Sequence, residues 1–410
     1  MNGPDLLLTR APEAAKVFSL LTEVFDPIAA ESFRRLLLHH PRRGLIRQAA
    51  FTDATGNLVA YAIFLPQRLV IDGVTLEVGQ LEAVATAKAY RGHGLFPRLH
   101  DDLLRQTASR RYPFIMVFGI PTYYRKLGYF FTTPFYARAH MDAATATMLP
   151  RVKGLRHRRG RAGDAATLLR LYHLHLAGAQ VFIPRDLKKM AVWLDKYEAA
   201  GDVETHVFTR GEKIVAYLRI HFQSTGMMVM EAAGWTSTTL PAALRMLGRR
   251  ALGKDLPDIS LLLPGDDPLS AAARFHGAEP VDPMWTYALQ VSVIDAKGLL
   301  EKLKPAFDRR LAKSVFRDAT LSLPCHSFGR PFTLEIKKGR FVGVGDGHDL
   351  PSVLSVRGGR EAWVRLAFGV ASFNDLLLRE PDLRCPANLQ PVMETLFPPL
   401  RPYLNELDSF

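Results

Sequence analysis

A short glycine-containing loop in the first third of the chain has the residue types of a phosphate-binding site. The loop, Arg91-Gly92-His93-Gly94, follows an apolar run over 81–86 and precedes a leucine pattern over 95–103 that predicts a helix. Free N–H groups at a helix N-terminus attract anions, and glycines leave the approach to those groups open. Arg91 adds a positive charge. The pattern favours a seat for a diphosphate, although two glycines alone are also typical of an ordinary tight turn.

A second block with chemical potential lies further along the chain. An apolar run of β type, Phe114–Phe118, is followed by Gly119, Ile120 and then two adjacent tyrosines, Tyr123 and Tyr124. A phenol has an unperturbed pKa of about 10, so it is protonated at neutral pH and can give a proton to a leaving group. Adjacent side chains point in different directions, and we therefore expect one of the two tyrosines to be structural.

These two blocks, in this order, resemble the acetyl-CoA-binding core of the GNAT acyltransferase superfamily. The first block there has the form Arg-x-x-Gly-x-Gly/Ala, and the second carries a tyrosine four residues before a Gly-aromatic pair, here Gly128-Tyr129. Phe96 departs from the first form, because Gly or Ala is usual at its position. A bulky residue there is similar to the enhanced-intracellular-survival (Eis) type, which has three domains in a chain of about this length.

The resemblance implies acetyl-CoA as the co-substrate, with no metal, and assigns roles to particular residues. Tyr124 would be the acid for the departing thiolate. The Eis type ends its chain at the active site, so the α-carboxylate of Phe410 would be the base, with Glu406 and Asp408 as alternative carboxylates on the same tail. The cofactor-binding residues predicted by motif matching are Val84, Ala85, Thr86, Arg91, Gly92, His93, Gly94, Leu95, Phe96, Gly119 and Ile120.

Two carboxylates in the predicted N-terminal helices, Glu23 and Asp26, have two interpretations. They could belong to a solvated helix face. They could also line a pocket for a cationic acceptor, because an amine that loses its water needs a carboxylate nearby.

Composition limits the class of protein. The chain of 410 residues is 48% apolar and 23% charged, an ordinary globular balance. No uncharged run approaches the ~18 residues that span a bilayer, and no signal peptide is evident, so a cytoplasmic location is predicted. The net charge of +13 is spread along the chain, which favours a solvated basic surface and argues against a nucleic-acid partner. The two cysteines, Cys325 and Cys385, lack metal-ligand spacing and are expected to be free thiols.

The predicted fold class is α/β (α+β), with two tandem GNAT-like mixed-sheet domains and a C-terminal α+β domain that resembles sterol carrier protein. The predicted domains are 1–150, catalytic; 151–288, a degenerate second GNAT-like copy; and 289–410, sterol-carrier-protein-like. A basic stretch over 151–161 is taken as the linker, with a polyanion-binding arm as the alternative. The second copy has Gly234-Trp235-Thr236-Ser237 where the first has its loop, so we expect it not to bind acetyl-CoA. In the third domain, 362–368 is predicted as a strand and 373–378 as a helix.

The predicted activity is acetyl-CoA-dependent N-acetyl transfer to a primary amine of a small molecule or lysine-like acceptor, by direct attack on the thioester. The alternative is a non-catalytic protein that senses CoA or carries a lipid or acyl group in its C-terminal domain. A carrier would not need Tyr124 in register with an intact Arg91–Gly94 loop, which favours the enzyme. The sequence does not name the acceptor, and it leaves a homo-oligomer open.

Overall fold

The computed structural model describes residues 6–133, 137–223, 226–283, 288–327, 330–405 and 408. Within these ranges the strands form sheets of nine, seven and four strands. Helices cover the sheets, and the fold is mixed α/β, as predicted.

The first sheet has the strand order β1-β2-β3-β4-β5-β15-β6, with β9 beside β3 and β20 beside β9. Its core is an antiparallel meander of β2, β3 and β4, and β4 is parallel to β5. The strands are β1 (Leu7–Thr9), β2 (Arg47–Thr52), β3 (Leu58–Ile71), β4 (Val74–Thr86), β5 (Phe114–Phe118), β6 (Phe130–Phe131), β9 (Val181–Phe182), β15 (Leu289–Val293) and β20 (Pro402–Tyr403).

Strand β3 is one long strand of 14 residues. Its side chains are buried at every position except Arg68, since they enter apolar clusters on both faces of the sheet. A turn at Asp72 and Gly73 joins β3 to β4, and both residues have positive φ (46° and 75°), as a two-residue hairpin favours.

Helices α1 (Ala14–Val24), α2 (Pro27–His39) and α3 (Leu95–Thr107) cover the first sheet. The predicted helix over the leucine pattern is confirmed as α3, whose Leu95, Leu99 and Leu103 are buried in a cluster with side chains of β2 and β3. Helices α1 and α2 contribute to a separate cluster on the opposite side.

The second sheet has the order β14-β7-β13-β12-β11-β10-β8 and repeats the pattern of the first. β10, β11 and β12 form an antiparallel meander, and β12 is parallel to β13. The strands are β7 (Ala137–Asp142), β8 (Leu155–Arg159), β10 (Val203–Arg210), β11 (Lys213–Gln223), β12 (Gly226–Ala233), β13 (Asp258–Leu261) and β14 (Glu279–Pro283). The helices are α5 (Ala143–Met148), α6 (Ala165–His175), α7 (Leu187–Val192), α8 (Leu240–Leu252) and α9 (Pro268–Phe275).

The two sheets exchange a strand. β7 precedes the second meander in the chain but pairs with β13 and β14. β15 follows the second sheet in the chain but pairs with β5 and β6 in the first. Each exchanged strand therefore lies on the opposite side of the predicted boundaries, 150/151 and 288/289, from the sheet that it joins. The boundaries themselves stay a prediction.

The third sheet, β18-β17-β16-β19, lies in the C-terminal region. This region packs on the first sheet, and the ring centroids of Phe114 and Phe368 are 5.2 Å apart. The strands are β16 (Leu321–Ser327), β17 (Arg330–Lys337), β18 (Arg340–Asp346) and β19 (Val356–Gly358), and the helices are α10 (Ala296–Lys302), α11 (Lys304–Ala312), α12 (Arg360–Ala367), α13 (Phe373–Arg379) and α14 (Gln390–Leu396). Its likeness to sterol carrier protein stays a prediction.

The predicted strand over 362–368 is wrong, because residues 362–367 belong to helix α12 and Phe368 is its C-cap. A short apolar run does not by itself distinguish a buried strand from a buried helix. The charged residues carry the helical signal: Glu361 Oε1 and Arg365 Nη2 are 2.6 Å apart, an i,i+4 pair. The helix predicted over 373–378 is confirmed as α13.

Short helical segments complete the description: α4 (Pro121–Arg125), the 3₁₀ turns Arg43–Leu45, Lys88–Tyr90, Ala108–Arg110, Ala162–Asp164 and Glu198–Ala200, and the π-helix Trp193–Tyr197. In the described part of the chain no helix is long and apolar enough to cross a bilayer. The same residues contain no cluster of three or more His, Cys, Asp or Glu side chains arranged to hold a metal ion. Cys325 and Cys385 are free thiols.

Candidate active site

The Arg91–Gly94 loop and the start of α3 form an open, basic helix N-terminus. Gly92 and Gly94 have φ of 83° and 67°, and a Cβ added at either would meet no atom within 4 Å. Gly94 is the N-cap, no side chain caps the helix, and its first turn has no acidic residue. Positive φ favours glycine at both positions. The first N–H groups of α3 are therefore available to an anion.

The side chains of the loop point outward. Arg91 and His93 are exposed; the Arg91 Nε donates to the Thr86 carbonyl (3.2 Å), and the His93 ring lies 3.1 Å from the Arg91 carbonyl. The Arg91 contact ties the loop to the end of β4.

Strands β4 and β5 separate next to this loop. They pair only at Gly79–Ile115 and Gln80–Met116. A bulge in β4, with Ala83 at a φ of 51°, follows directly, and beyond it Ala85 and Thr86 still pair with β3. On the other edge, residues 82–86 have no strand partner in the described ranges. This edge, which includes Val84, could pair with an extended ligand by strand addition.

Phe96 does not face the open loop. It belongs to α3 and is only 3% exposed. The centroid of its ring is 5.7 Å from that of Tyr123, 6.0 Å from that of Tyr124 and 5.9 Å from that of His100. Leu95 is buried on the same side. The bulky side chain at the family's Gly/Ala position is thus accommodated in an aromatic cluster.

Tyr124 lies on α4, directly beside the backbone of Gly119. A Cβ added at Gly119 would meet the Tyr124 Cε2 at 2.5 Å, so the ring requires a glycine there. Tyr124 is 7% exposed, and burial, helped by the negative charge of Glu82, raises its pKa well above the ordinary value. The phenol therefore stays protonated at neutral pH. Tyr123, in contrast, is 43% exposed.

Below Tyr124 the cluster continues to Tyr129, which is fully buried and whose hydroxyl lies 2.8 Å from the His100 Nε2. Burial lowers the pKa of His100 to about 4, so this imidazole is neutral at pH 7. The pair satisfies two polar groups inside the core.

Gln290 was not identified from the sequence. It lies on the exchanged strand β15, is fully buried, and its Nε2 donates to the Gly119 carbonyl at 2.6 Å. Gly119 is thereby held between the amide of Gln290 and the ring of Tyr124. Ile120, the next residue, is 55% exposed at the start of α4.

A chain of amides leads from β4 to the C-terminal tail. Gln80 Nε2 donates to Glu82 (2.7 Å), Gln67 Nε2 lies 3.3 Å from the Gln80 Oε1, and the same Nε2 donates to the Asp408 carbonyl at 3.0 Å. Asp408 is fully buried. The tail thus reaches the β3–β4 surface that also carries Glu82. Glu406 and Phe410, two of the predicted carboxylates, lie outside the described residues.

The other side of Asp408 is held by the second sheet and its helices. Arg185 Nε is 2.6 Å from the Asp408 carboxylate, and its two Nη atoms pair with Glu231 at 2.9 and 2.5 Å. Lys189 Nζ donates to the Asp408 carbonyl at 2.5 Å. Burial lowers the pKa of Lys189 to about 8, and Arg185 lowers that of Glu231 to about 2 against the effect of burial. Asp408 therefore belongs to a buried ion-pair network.

Glu23 and Asp26 lie apart from this network. Asp26 caps α2, its Oδ1 accepting from the N–H groups of Ile28 and Ala29 at 3.0 Å each. Glu23 is exposed on α1. Asp26 has a structural use, and both side chains remain on the surface.

The predicted cofactor residues form one surface: the loop, the start of α3, the free edge of β4 and the end of β5. Tyr124 borders that surface. Gln290, which the sequence did not indicate, reaches this surface from β15, whereas Arg185 and Lys189 contact Asp408 of the C-terminal tail.

Residues 9–132 match the family model described as an acetyltransferase (GNAT) domain. Combined with the loop, the separated strands and the buried tyrosine, this match identifies a GNAT acetyltransferase domain in that part of the chain. The GNAT resemblance seen in the sequence is confirmed for these residues.

Solved structures match nearly the whole chain. A GCN5-related N-acetyltransferase from Kribbella flavida is 18% identical, with a TM-score of 0.67 and 98% of both chains covered. One from Anabaena variabilis is 12% identical, with a TM-score of 0.69 and 97% and 99% coverage. Eis1 from Mycobacterium abscessus is 15% identical, with a TM-score of 0.60 and 97% and 99% coverage. At these identities the likeness concerns the fold. No curated protein matches the sequence.

Proposed function

We propose that the protein is an acetyl-CoA-dependent N-acetyltransferase that acetylates a primary amine of a small molecule or a lysine-like side chain. The observation that carries this proposal is the junction of the open α3 N-terminus, the free edge of β4 and the buried, protonated Tyr124. An anionic diphosphate, an amide-containing arm and a thioester need these three features in this order.

The donor would bind along the junction. Its diphosphate would accept hydrogen bonds from the first N–H groups of α3, with Arg91 adding charge. Its pantetheine amides would pair with the backbone of Val84, Ala85 and Thr86. The thioester would then border Gly119 and Ile120.

Transfer is a direct displacement. The amine nitrogen attacks the thioester carbonyl carbon, the C–S bond breaks, and the CoA thiolate takes the proton of the Tyr124 hydroxyl. The phenol suits this role because its raised pKa keeps it protonated. As the amide forms, the nitrogen gives up a proton, which restores the Tyr124 hydroxyl. Before the attack, the acceptor, an ammonium ion in water, must already have lost another proton to a base.

For that proton we propose the α-carboxylate of Phe410. The supporting observation is that Asp408, two positions before Phe410, is anchored beside the surface that carries Gln67, Gln80 and Glu82. A carboxylate with a reference pKa of about 3.5 would need its pKa raised or a mediating water. Glu82 is the second candidate, because it is half-buried and acts electrostatically on Tyr124.

Thiol release measured with acetyl-CoA and spermidine, kanamycin, an arylamine or a lysine peptide tests the activity. We expect amine-dependent release with at least one of them, reduced ~10²-fold by Tyr124→Phe. Acetyl-CoA binding without release for any amine would favour the CoA-sensing alternative. Among the bases, loss of turnover in a variant ending at Ser409 supports the tail, whereas loss only in Glu82→Gln transfers the role to that residue.

A further inference from the structure

The C-terminal region contains a cavity of about 710 Å³ that the proposed acetyl transfer does not use. Ligand pockets typically enclose about 300–1,000 Å³. The cavity is bounded by α10, α12, the ends of β16, β17 and β18, and the end of β15. Its size is that of a site for a small organic molecule.

The floor of the cavity is apolar. Buried side chains form it: Leu299, Leu300, Val344, Trp363, Val364 and Ala367. The polar atom of the Trp363 indole is already used, since its Nε1 donates to the His326 carbonyl at 3.2 Å. The floor therefore presents hydrocarbon and an aromatic ring to an occupant.

One polar group inside the cavity is left for a ligand. Ser327 is only 5% exposed, and its Oγ has no hydrogen-bond partner in the described part of the protein. An unpartnered buried hydroxyl costs free energy, and a ligand oxygen would satisfy it.

The exposed rim has a small excess of positive charge: Lys297, Arg330 and Arg360 against Asp295 and Asp346. The Asp295 Oδ1 is already the cap of α10, accepting from the Gly298 N–H at 2.8 Å. Lys297 and Arg330 line the cavity and are exposed at its rim. A carboxylate at the mouth would meet these cations.

We propose that this cavity binds a small apolar carboxylate that acts as an effector of the acyl-donor site. The link is β15, which touches both places. Val293 at its end lines the cavity, and Gln290, three residues earlier, holds the Gly119 carbonyl. Three residues of strand span only ~10 Å. A ligand that moves the end of β15 therefore acts on the backbone beside Tyr124.

Calorimetry with 1-naphthoate tests the binding site, with 1-naphthalenemethanol as the uncharged counterpart. We expect naphthoate to bind the full-length protein at least fivefold more tightly than the alcohol. Arg330→Glu, an exposed change on β17, should weaken naphthoate at least tenfold, whereas Arg340→Glu, an equally exposed change on the neighbouring strand outside the cavity, should leave it within twofold. Val344→Phe should abolish binding by filling the floor, with thermal unfolding as the check that this variant folds.

The effector role rests on the proposed use of acetyl-CoA and is tested by measuring naphthoate affinity with and without saturating acetyl-CoA. Coupling is reciprocal, so acetyl-CoA should change naphthoate affinity at least threefold, and naphthoate should change acetyl-CoA affinity by the same factor. Gln290→Leu should bring that factor towards one while naphthoate still binds. This readout needs no acceptor amine.

The outcomes separate the two ideas. If acetyl-CoA gives no binding heat, the proposed function fails. The Arg330→Glu and Arg340→Glu variants still test whether naphthoate binds in the cavity. Absence of naphthoate binding, or equal weakening by both arginine variants, overturns the site. Binding with identical affinity in the presence and absence of bound acetyl-CoA overturns the effector role.

Discussion

Gly94→Val tests the diphosphate seat directly. Gly94 has a φ of 67°, and a Cβ there meets no protein atom within 4 Å, so the new side chain would fill the space in which we place the phosphate oxygens. A hydrogen bond to a charged group contributes about 1.5–3 kcal/mol. Loss of one such bond, about 2 kcal/mol, should weaken acetyl-CoA binding about 30-fold.

The same substitution also strains the backbone, and that effect needs its own control. A side chain in the left-handed region costs roughly 1–2 kcal/mol, more for a β-branched residue. Gly211, in the β10–β11 turn, has a φ of 58° and also meets nothing within 4 Å. Gly211→Val therefore imposes comparable strain far from the proposed seat.

Calorimetric titration with acetyl-CoA and urea unfolding of both variants separate the two effects. Both should lose a similar free energy of unfolding, and only Gly94→Val should lose affinity. Equal acetyl-CoA affinity in the two folded variants would refute the assignment of the seat to this loop.

Three other predictions concern the acid, the tail and a buried carboxyl. Tyr124→Phe should lower turnover ~10²-fold with acetyl-CoA affinity within about twofold, whereas Tyr123→Phe should keep turnover within about threefold; the reverse order would move the acid to Tyr123. Asp408→Ala should lower turnover on the acceptor and speed hydrogen exchange over 402–405 because the anchor to Arg185 is lost; unchanged exchange would contradict the anchoring. Asp267 is buried, and desolvation raises its pKa from 3.8 to about 6. A folded-state pKa above the unfolded value means that its stabilising contribution is complete below about pH 4 and is lost as the pH rises through 6. Asp267→Asn, which can still cap α9, should therefore be about 1–3 kcal/mol more stable than the parent at pH 7 but not at pH 4, by urea unfolding; a less stable variant at pH 7 would contradict this.

The parts of the site that the sequence predicted are local in the chain. Arg91, Gly94 and the leucines of α3 lie within one turn and one helix, and their spacing alone indicates the loop and the helix. The order of elements around β12 and α8 likewise indicated a second copy. In that copy, neighbouring atoms fill the space at the turn after β12: a Cβ added at Gly234 would lie 2.4 Å from the Val215 carbonyl oxygen.

The parts that the sequence did not predict depend on distant pairing. Nothing in the residues of β15 shows that the strand joins the first sheet, because partner choice is decided by the whole sheet rather than by local pattern. Gln290 was therefore not identified from the sequence, although it holds Gly119 from 171 positions away. Arg185 and Asp408 are 223 positions apart. Because a charged residue is usually exposed to solvent, the sequence did not indicate that these two form a buried pair.

Phe96 shows how a departure from a family pattern is resolved in three dimensions. The substitution of a bulky ring for Gly or Ala raised the question whether the phosphate seat could form. The Phe96 ring is buried against Tyr123 and Tyr124, so it leaves the Arg91–Gly94 loop open. Helix α3 therefore contacts the proposed acid, Tyr124, through Phe96. The two sequence blocks are thereby joined by one side chain.

The second copy, although it lacks the loop, has a physical role in this arrangement. Buried ion pairs rarely add stability, because desolvation offsets the attraction, but breaking one leaves a costly unpaired charge. Arg185, Glu231 and Asp408 form such a group with fully buried side chains. Any position of the tail that removed Asp408 would leave Arg185 with one carboxylate in place of two. The network therefore favours a single position for Asp408, beside Gln67 and the surface of the first sheet.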